Sequence, residues 1–314
     1  MTIKPNVKMK SIQAPGAVIM IRPHHFHPNP ETAGDNAFQR TAATSAQETA
    51  QLAHEEVTTA AATLQAAGVT VHVFDDMGAQ ETPDSVFPNN WFSTHPGGHI
   101  ALYPMYSPNR RRERRGDVID MLKAHYRVQD VIDYSGLEYD GLFLEGTGAM
   151  VLDHVERVAY TTCSHRSNAI ALERFCTHFN FEPMAFPSAD AAGSPIYHTN
   201  VMMCIATDFA LVGLNMITDA ARRSEIHTRL LQSGREVIVL ENWQIAEFAG
   251  NAIELSTETG RILAMSARAK ASLNADQISL IEHSACILPL SVPTIEMAGG
   301  SVRCMLAGIH LTRR

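Results

Sequence analysis

Short apolar runs alternate with longer segments of helical spacing along the whole chain. That interleaving most constrains what it can fold into. The runs are Ala17-Val-Ile-Met-Ile-Arg22, Val69-Thr-Val-His-Val-Phe74, Ile100-Ala-Leu-Tyr103, Ala149-Met-Val-Leu152, Val201-Met-Met-Cys-Ile-Ala206, Ala210-Leu-Val-Gly213 and Val237-Ile-Val-Leu240. Gly, Pro, Asn or Asp bounds each one, as expected of buried strands. Helical spacing marks residues 45–67, stopped by Gly68, and residues 117–126, 168–179, 219–231 and 276–284. Thr218 stands where an N-cap would open the fourth of these. The class is therefore α/β. No Pro/Gly/Ser-rich linker divides the chain, so residues 1–314 read as one domain. A strand–strand–helix–strand rhythm recurs about every 60 residues.

Composition narrows the function. Asp and Glu number 33 against 25 Lys and Arg, a net charge of −8. An acidic chain is a poor nucleic-acid binder. No apolar run is long enough to span a membrane, and residues 1–13 lack the apolar stretch of a secretory signal. A cytoplasmic location is the expectation. The five cysteines, Cys163, Cys176, Cys204, Cys286 and Cys304, are odd in number and widely spaced. That argues against a disulfide framework. Cys204 and Cys286 sit in apolar runs and read as small buried hydrophobes. No glycine-rich nucleotide fingerprint follows the first strand.

Six motifs can carry chemistry. Gly299-Gly-Ser-Val-Arg-Cys-Met305 sets a thiol beside a guanidinium after a flexible turn, and a nearby cation favours the nucleophilic thiolate. A structural cysteine after a turn is the plainer alternative. Leu144-Glu-Gly-Thr-Gly148 places a carboxylate at a strand end, where it orients a histidine, binds a ligand or simply makes a turn. Tyr197-His-Thr-Asn-Val201 brings a histidine to an apolar strand, where core histidines also occur. Pro83-Asp-Ser-Val-Phe-Pro-Asn-Asn-Trp91 holds two amides between apolar anchors, or is a turn. Asn109-Arg-Arg-Arg-Glu-Arg-Arg115 puts cations before a helix, against its macrodipole, which a bound carboxylate would relieve. Arg166 is a second carboxylate clamp of that kind. His24-His25-Phe26-His27 offers two metal ligands on one extended face but no completing carboxylate or thiolate nearby, so no metal is expected.

The order of these motifs from Arg22 to Leu311 resembles the pentein superfamily of guanidine-modifying enzymes. That group includes arginine deiminase, dimethylarginine dimethylaminohydrolase and the amidinotransferases. Gly299–Met305 looks like the deiminase nucleophile motif. Pro83–Phe87, Pro108-Asn-Arg-Arg and Ser164-His-Arg-Ser-Asn168 look like the substrate-loop and arginine segments of the dimethylarginine hydrolases. Arg22-Pro-His-His-Phe-His-Pro-Asn29, with Thr32, Asn36 and Phe38, resembles a bacterial branch associated with citrulline use. The resemblance implies a five-bladed α/β propeller of ββαβ modules around a central channel. It implies Cys304 as nucleophile, His198 as general acid and base, and Glu145 as the group orienting His198. It implies no metal or organic cofactor and a small amino-acid substrate, and it leaves a homodimer open.

Two positions depart from the guanidinium-binding pattern. Where carboxylates would hold the cation, this chain has Asn90, preceded by Asn89, and Asn200. An amide cannot neutralise a guanidinium, but it matches the donors and acceptor of a neutral ureido group. L-citrulline is the amino acid this favours, hydrolysed to ornithine, ammonia and CO2 through an S-carbamoyl enzyme. A guanidine hydrolase of the deiminase or dimethylarginine type, or an amidinotransferase, is the alternative. Arg110 or Arg111, with Arg166, is expected on the α-carboxylate, and Asp84 on the α-amino group or a ureido N–H. Whether His24–His27 forms a lid stays open.

Overall fold

The computed structural model describes residues 12–34, 36–40 and 44–314. The reading of residues 1–13 lies almost wholly outside them. In chain order come β1 (Ala17–Pro23), α1 (Ala46–Ala66) and β2 (Thr70–Asp76). Next are β3 (Phe92–His95), β4 (His99–Leu102), α2 (Gly116–His125) and β5 (Asp130–Asp133). They are followed by β6 (Met150–Asp153), β7 (Val158–Thr162), α3 (Ala169–Phe179) and β8 (Glu182–Phe186). Then come β9 (Met203–Ile205), β10 (Phe209–Val212), α4 (Ala220–Gln232) and β11 (Glu236–Val239). The last are β12 (Ile253–Ser256), β13 (Arg261–Ser266), α5 (Ala275–Glu282), β14 (Cys286–Leu290) and β15 (Ala307–Gly308).

These strands form five three-stranded sheets. Four repeat one plan: an antiparallel pair, a crossover helix, and a third strand parallel to the second, as in β3-β4-β5. The fifth follows the same plan with its first strand taken from the other end of the sequence. β15 pairs antiparallel with β1, Val18 against Gly308, and β1 runs parallel to β2 across α1. The inner strands touch in succession, β15 with β3, β6 with β9, and β9 with β12. This is the five-module propeller-like pentein fold that the resemblance implies.

Helices cover the outside of the sheets because each has one apolar face. α1 buries Ala53, Val57, Ala60 and Leu64 at three- and four-residue intervals. Each large aliphatic side chain so buried contributes about 1.5–3 kcal/mol. Ser45 caps the helix by accepting from the Glu48 amide.

The structure corrects two local readings. Asp219, not Thr218, caps α4, accepting from the Ala221 and Arg222 amides. Cys204 is buried, but Cys286 is exposed, because it begins a strand at a sheet edge.

Candidate active site

Each module begins with a short turn just ahead of its inner strand. The turns are Pro88–Asn90 before β3, Gly146–Ala149 before β6, Thr199–Val201 before β9, residues 250–251 before β12, and Val302–Met305 before β15. Asn90, Glu145, Asn200, Asn251 and Cys304 thus occupy related places in five modules, and all five are buried. Asn90, His198 and Cys304 line one narrow cleft of about 20 Å³, together with Asp84, Arg110 and Arg166.

Two amides serve the thiol. Asn200 Nδ2 donates to Cys304 Sγ at 3.3 Å and Asn251 Nδ2 at 3.2 Å. Asn251 also donates to the Asn200 carbonyl at 2.9 Å and accepts from the Arg303 amide at 3.1 Å, which ties the fourth module to the turn that carries Cys304. Asn200 Oδ1 is buried without a hydrogen-bond partner. Nothing in the sequence singled out Asn251. Its one signal was positional, an Asn just before an apolar strand, as at Asn90 and Asn200. Charge-assisted bonds contribute about 1.5–3 kcal/mol. Asn251→Ala is therefore expected to slow iodoacetamide modification of Cys304 about tenfold near neutral pH. An unchanged pH profile of alkylation would remove Asn251 from this role.

Glu145 and His198 form a buried pair. His198 Nε2 lies 2.8 Å from Glu145 Oε2, and Glu145 Oε1 accepts from the Tyr106 amide at 2.9 Å. Burial alone would raise the Glu145 pKa. Arg166 at 3.6 Å, the His198 bond and Arg110 at 3.8 Å outweigh burial and hold it below the usual carboxylate range. Burial lowers the His198 pKa despite Glu145, so the ring is neutral near pH 7. With Nε2 engaged, Nδ1 is the nitrogen left for proton exchange. Gly148 packs against both sides of this arrangement: a Cβ there would lie 2.1 Å from the Asn90 amide and 2.9 Å from His198 Nδ1.

The arginine run is largely neutralised by the protein's own carboxylates. Buried Arg110 makes a bidentate pair with Glu113 at 2.9 and 3.0 Å and stands 3.7 Å from Asp84. Burial raises the Glu113 carboxyl to about 7, although Arg110 opposes the shift. Turned with its oxygen toward the guanidinium, the Asn90 amide accepts from Arg110 Nη1 and Nη2 at 3.0 Å and donates to Asn89 Oδ1 at 3.1 Å. Asn89 thus stands behind Asn90 rather than on the cleft wall. Arg111 is not brought to the cleft; it donates to the Met105 and Tyr106 carbonyls. Arg114 pairs with Glu138, and Arg115 with Asp117. Arg166 lies over the Tyr197 ring, 5.0 Å from its centroid. Asp84 accepts from Asn29 Nδ2 at 2.8 Å.

The segment after the histidine cluster, rather than the cluster itself, lines the cleft, through Thr32 and Asn36. Asn36 Nδ2 donates to the Ala298 carbonyl at 3.0 Å. Gly299 has φ 83°, and a Cβ there would collide with the Asn36 amide, so the Gly299–Gly300 pair lets this segment close. His24, His25 and His27 line a separate surface pocket against α1. His24 and His54 approach Asp75 there, but Arg22 already holds both oxygens of that carboxylate.

The family model described as N,N dimethylarginine dimethylhydrolase, eukaryotic, matches residues 22–311. No curated protein matches the chain. The N-terminal domain of ArgZ, a cyanobacterial arginine dihydrolase solved as a cysteine-to-serine mutant bound to substrate, is 17% identical with a TM-score of 0.71. That match covers 93% of this chain and 97% of that one. Unliganded AgrE gives the same identity and TM-score over 93% of this chain but only 39% of its own length. The dimethylarginine hydrolase DDAH of Pseudomonas aeruginosa, complexed with citrulline, is 12% identical with a TM-score of 0.61, covering 96% and 100%. At such identities the likeness establishes a shared fold.

Proposed function

The chain belongs to the N,N dimethylarginine dimethylhydrolase family of the pentein superfamily, and from that premise we propose that it hydrolyses the ureido group of L-citrulline. Family membership makes it a hydrolase of non-peptide C–N bonds. The observation that carries the finer reading is the surround of Cys304. Asn200 and Asn251 reach its sulfur, and the buried Asn200 Oδ1 has no partner. An unpaired amide acceptor suits the N–H of a neutral substrate, and unlike a carboxylate it brings no charge to a guanidinium, for which Asp84 is the carboxylate on the cleft wall.

In this mechanism His198 takes the Cys304 proton and the thiolate attacks the ureido carbon. The bond to the terminal nitrogen breaks, and His198 returns the proton to departing ammonia. An S-carbamoyl enzyme remains. Glu145 fixes the ring and stabilises its charged form. His198 then deprotonates water, which attacks the same carbon and breaks the C–S bond. The released N-carboxy-ornithine decomposes to ornithine and CO2. Arg166 is the cleft cation assigned to the α-carboxylate. Arg110 also lines the cleft, but Glu113 and Asn90 already engage it.

Ammonia and ornithine release from citrulline, arginine and dimethylarginine tests the reading. Wild type should favour citrulline by at least tenfold in kcat/KM. Asn90→Asp with Asn200→Asp should shift the ratio toward arginine by at least tenfold. Most of the shift should come from Asn200→Asp, because an Asp at position 90 would pair with Arg110. Comparable wild-type rates on arginine would replace this reading with guanidine hydrolysis.

A further inference from the structure

The inner strands of all five modules enclose a second chamber, of about 50 Å³, which shares no lining residue with the cleft. We propose that it binds one small monovalent anion, such as a halide, nitrate or bicarbonate, on the guanidinium of Arg303.

Arg303 lines this chamber and is partly buried. Its Nη1 donates to the Leu306 carbonyl at 3.0 Å. Among the described residues no carboxylate lies within ion-pair distance of it, and the ionisable groups that favour its charge are two thiols, Cys304 and Cys204, the latter pushed up to about 12 by burial. His154 and His310 share the chamber, their rings stacked with centroids 4.0 Å apart. His154 is buried, and its Nδ1 has no hydrogen-bond partner. The chamber thus offers a permanent cation and a vacant ring nitrogen. Glu254 is the carboxylate on its wall; Oε2 accepts from Thr207, and Oε1, buried without a hydrogen-bond partner, stands 3.5 Å from Arg261, which balances its charge. An uncompensated cation inside a protein is costly, and a counter-ion removes much of that cost. A chamber of this size has room for an occupant of water-like dimensions, which a small monovalent anion meets.

The test is thermal denaturation of the full chain at constant ionic strength, with bromide replacing gluconate. Wild type should show a saturable rise in Tm of several degrees. Arg303→Gln should abolish that rise, and His154→Gln should weaken it. Bromide-soaked crystals should show an anomalous peak in the chamber, which decides the matter even if Arg303→Gln does not fold. A rise that is non-saturable or equal in the variants, or no chamber peak, overturns the proposal.

Discussion

Cys304→Ser is expected to lower citrulline turnover by three orders of magnitude or more while leaving the melting temperature close to wild type. The side chain is buried and differs by one atom, so packing changes little. A serine hydroxyl is far less ionised than a thiol near pH 7, so it is the weaker nucleophile even with His198 beside it. The two amide donors at 3.3 and 3.2 Å are also spaced for sulfur, not for a shorter C–O bond. Steady-state ammonia release with calorimetry on the same samples checks both halves. Labelling must allow for Cys163 and Cys286, which are exposed and will react with iodoacetamide. Protection by ornithine should single out the Cys304 peptide. Retained activity with Cys304 replaced would remove it from the chemistry.

Gly148→Ala is expected to cost at least a hundredfold in kcat without touching the thiol. The new methyl would lie 2.1 Å from the Asn90 amide and 2.9 Å from His198 Nδ1. Neither neighbour yields easily, because Asn90 is held by Arg110 and Asn89, and His198 by Glu145. The ring must tilt, and a misplacement of about 1 Å can cost a hundredfold. Cys304 alkylation should fall far less than kcat, because the Asn200 and Asn251 donors still reach the sulfur. A variant with near-normal kcat would show that His198 does not need its present position.

The candidate residues that the structure brings together are legible because their motifs are compact. Glu145, His198 and Cys304 each sit beside a turn that leads into an apolar strand, which sequence alone displays. Asn251 was not legible, because Gly250-Asn251 carries no reactive side chain and its role depends on contact with Cys304 across the fold. Strands such as Asp130–Asp133 and Glu182–Phe186 escaped notice because they lie at sheet edges and are partly exposed, so they lack an apolar run. Arg110 and Arg111 are neighbours of identical type, and only Glu113, Asp84 and Asn90 around the former distinguish them. The contact of Asn36 with Ala298 joins segments too distant for any local pattern to reveal.

The pairing of β15 with β1 has a consequence for assembly. Cys304 precedes β15 by three positions, and β15 is anchored through a strand near the opposite end of the described chain. Four modules complete themselves from consecutive sequence, so they form through comparatively local contacts. The fifth requires the most distant strand pairing among the described residues, and contacts of that kind pay the largest loop-closure entropy and slow folding. The seat of Cys304 is therefore completed by the slowest closure. On refolding from denaturant, helical signal returns first, and catalytic competence follows after a lag set by the meeting of the two ends.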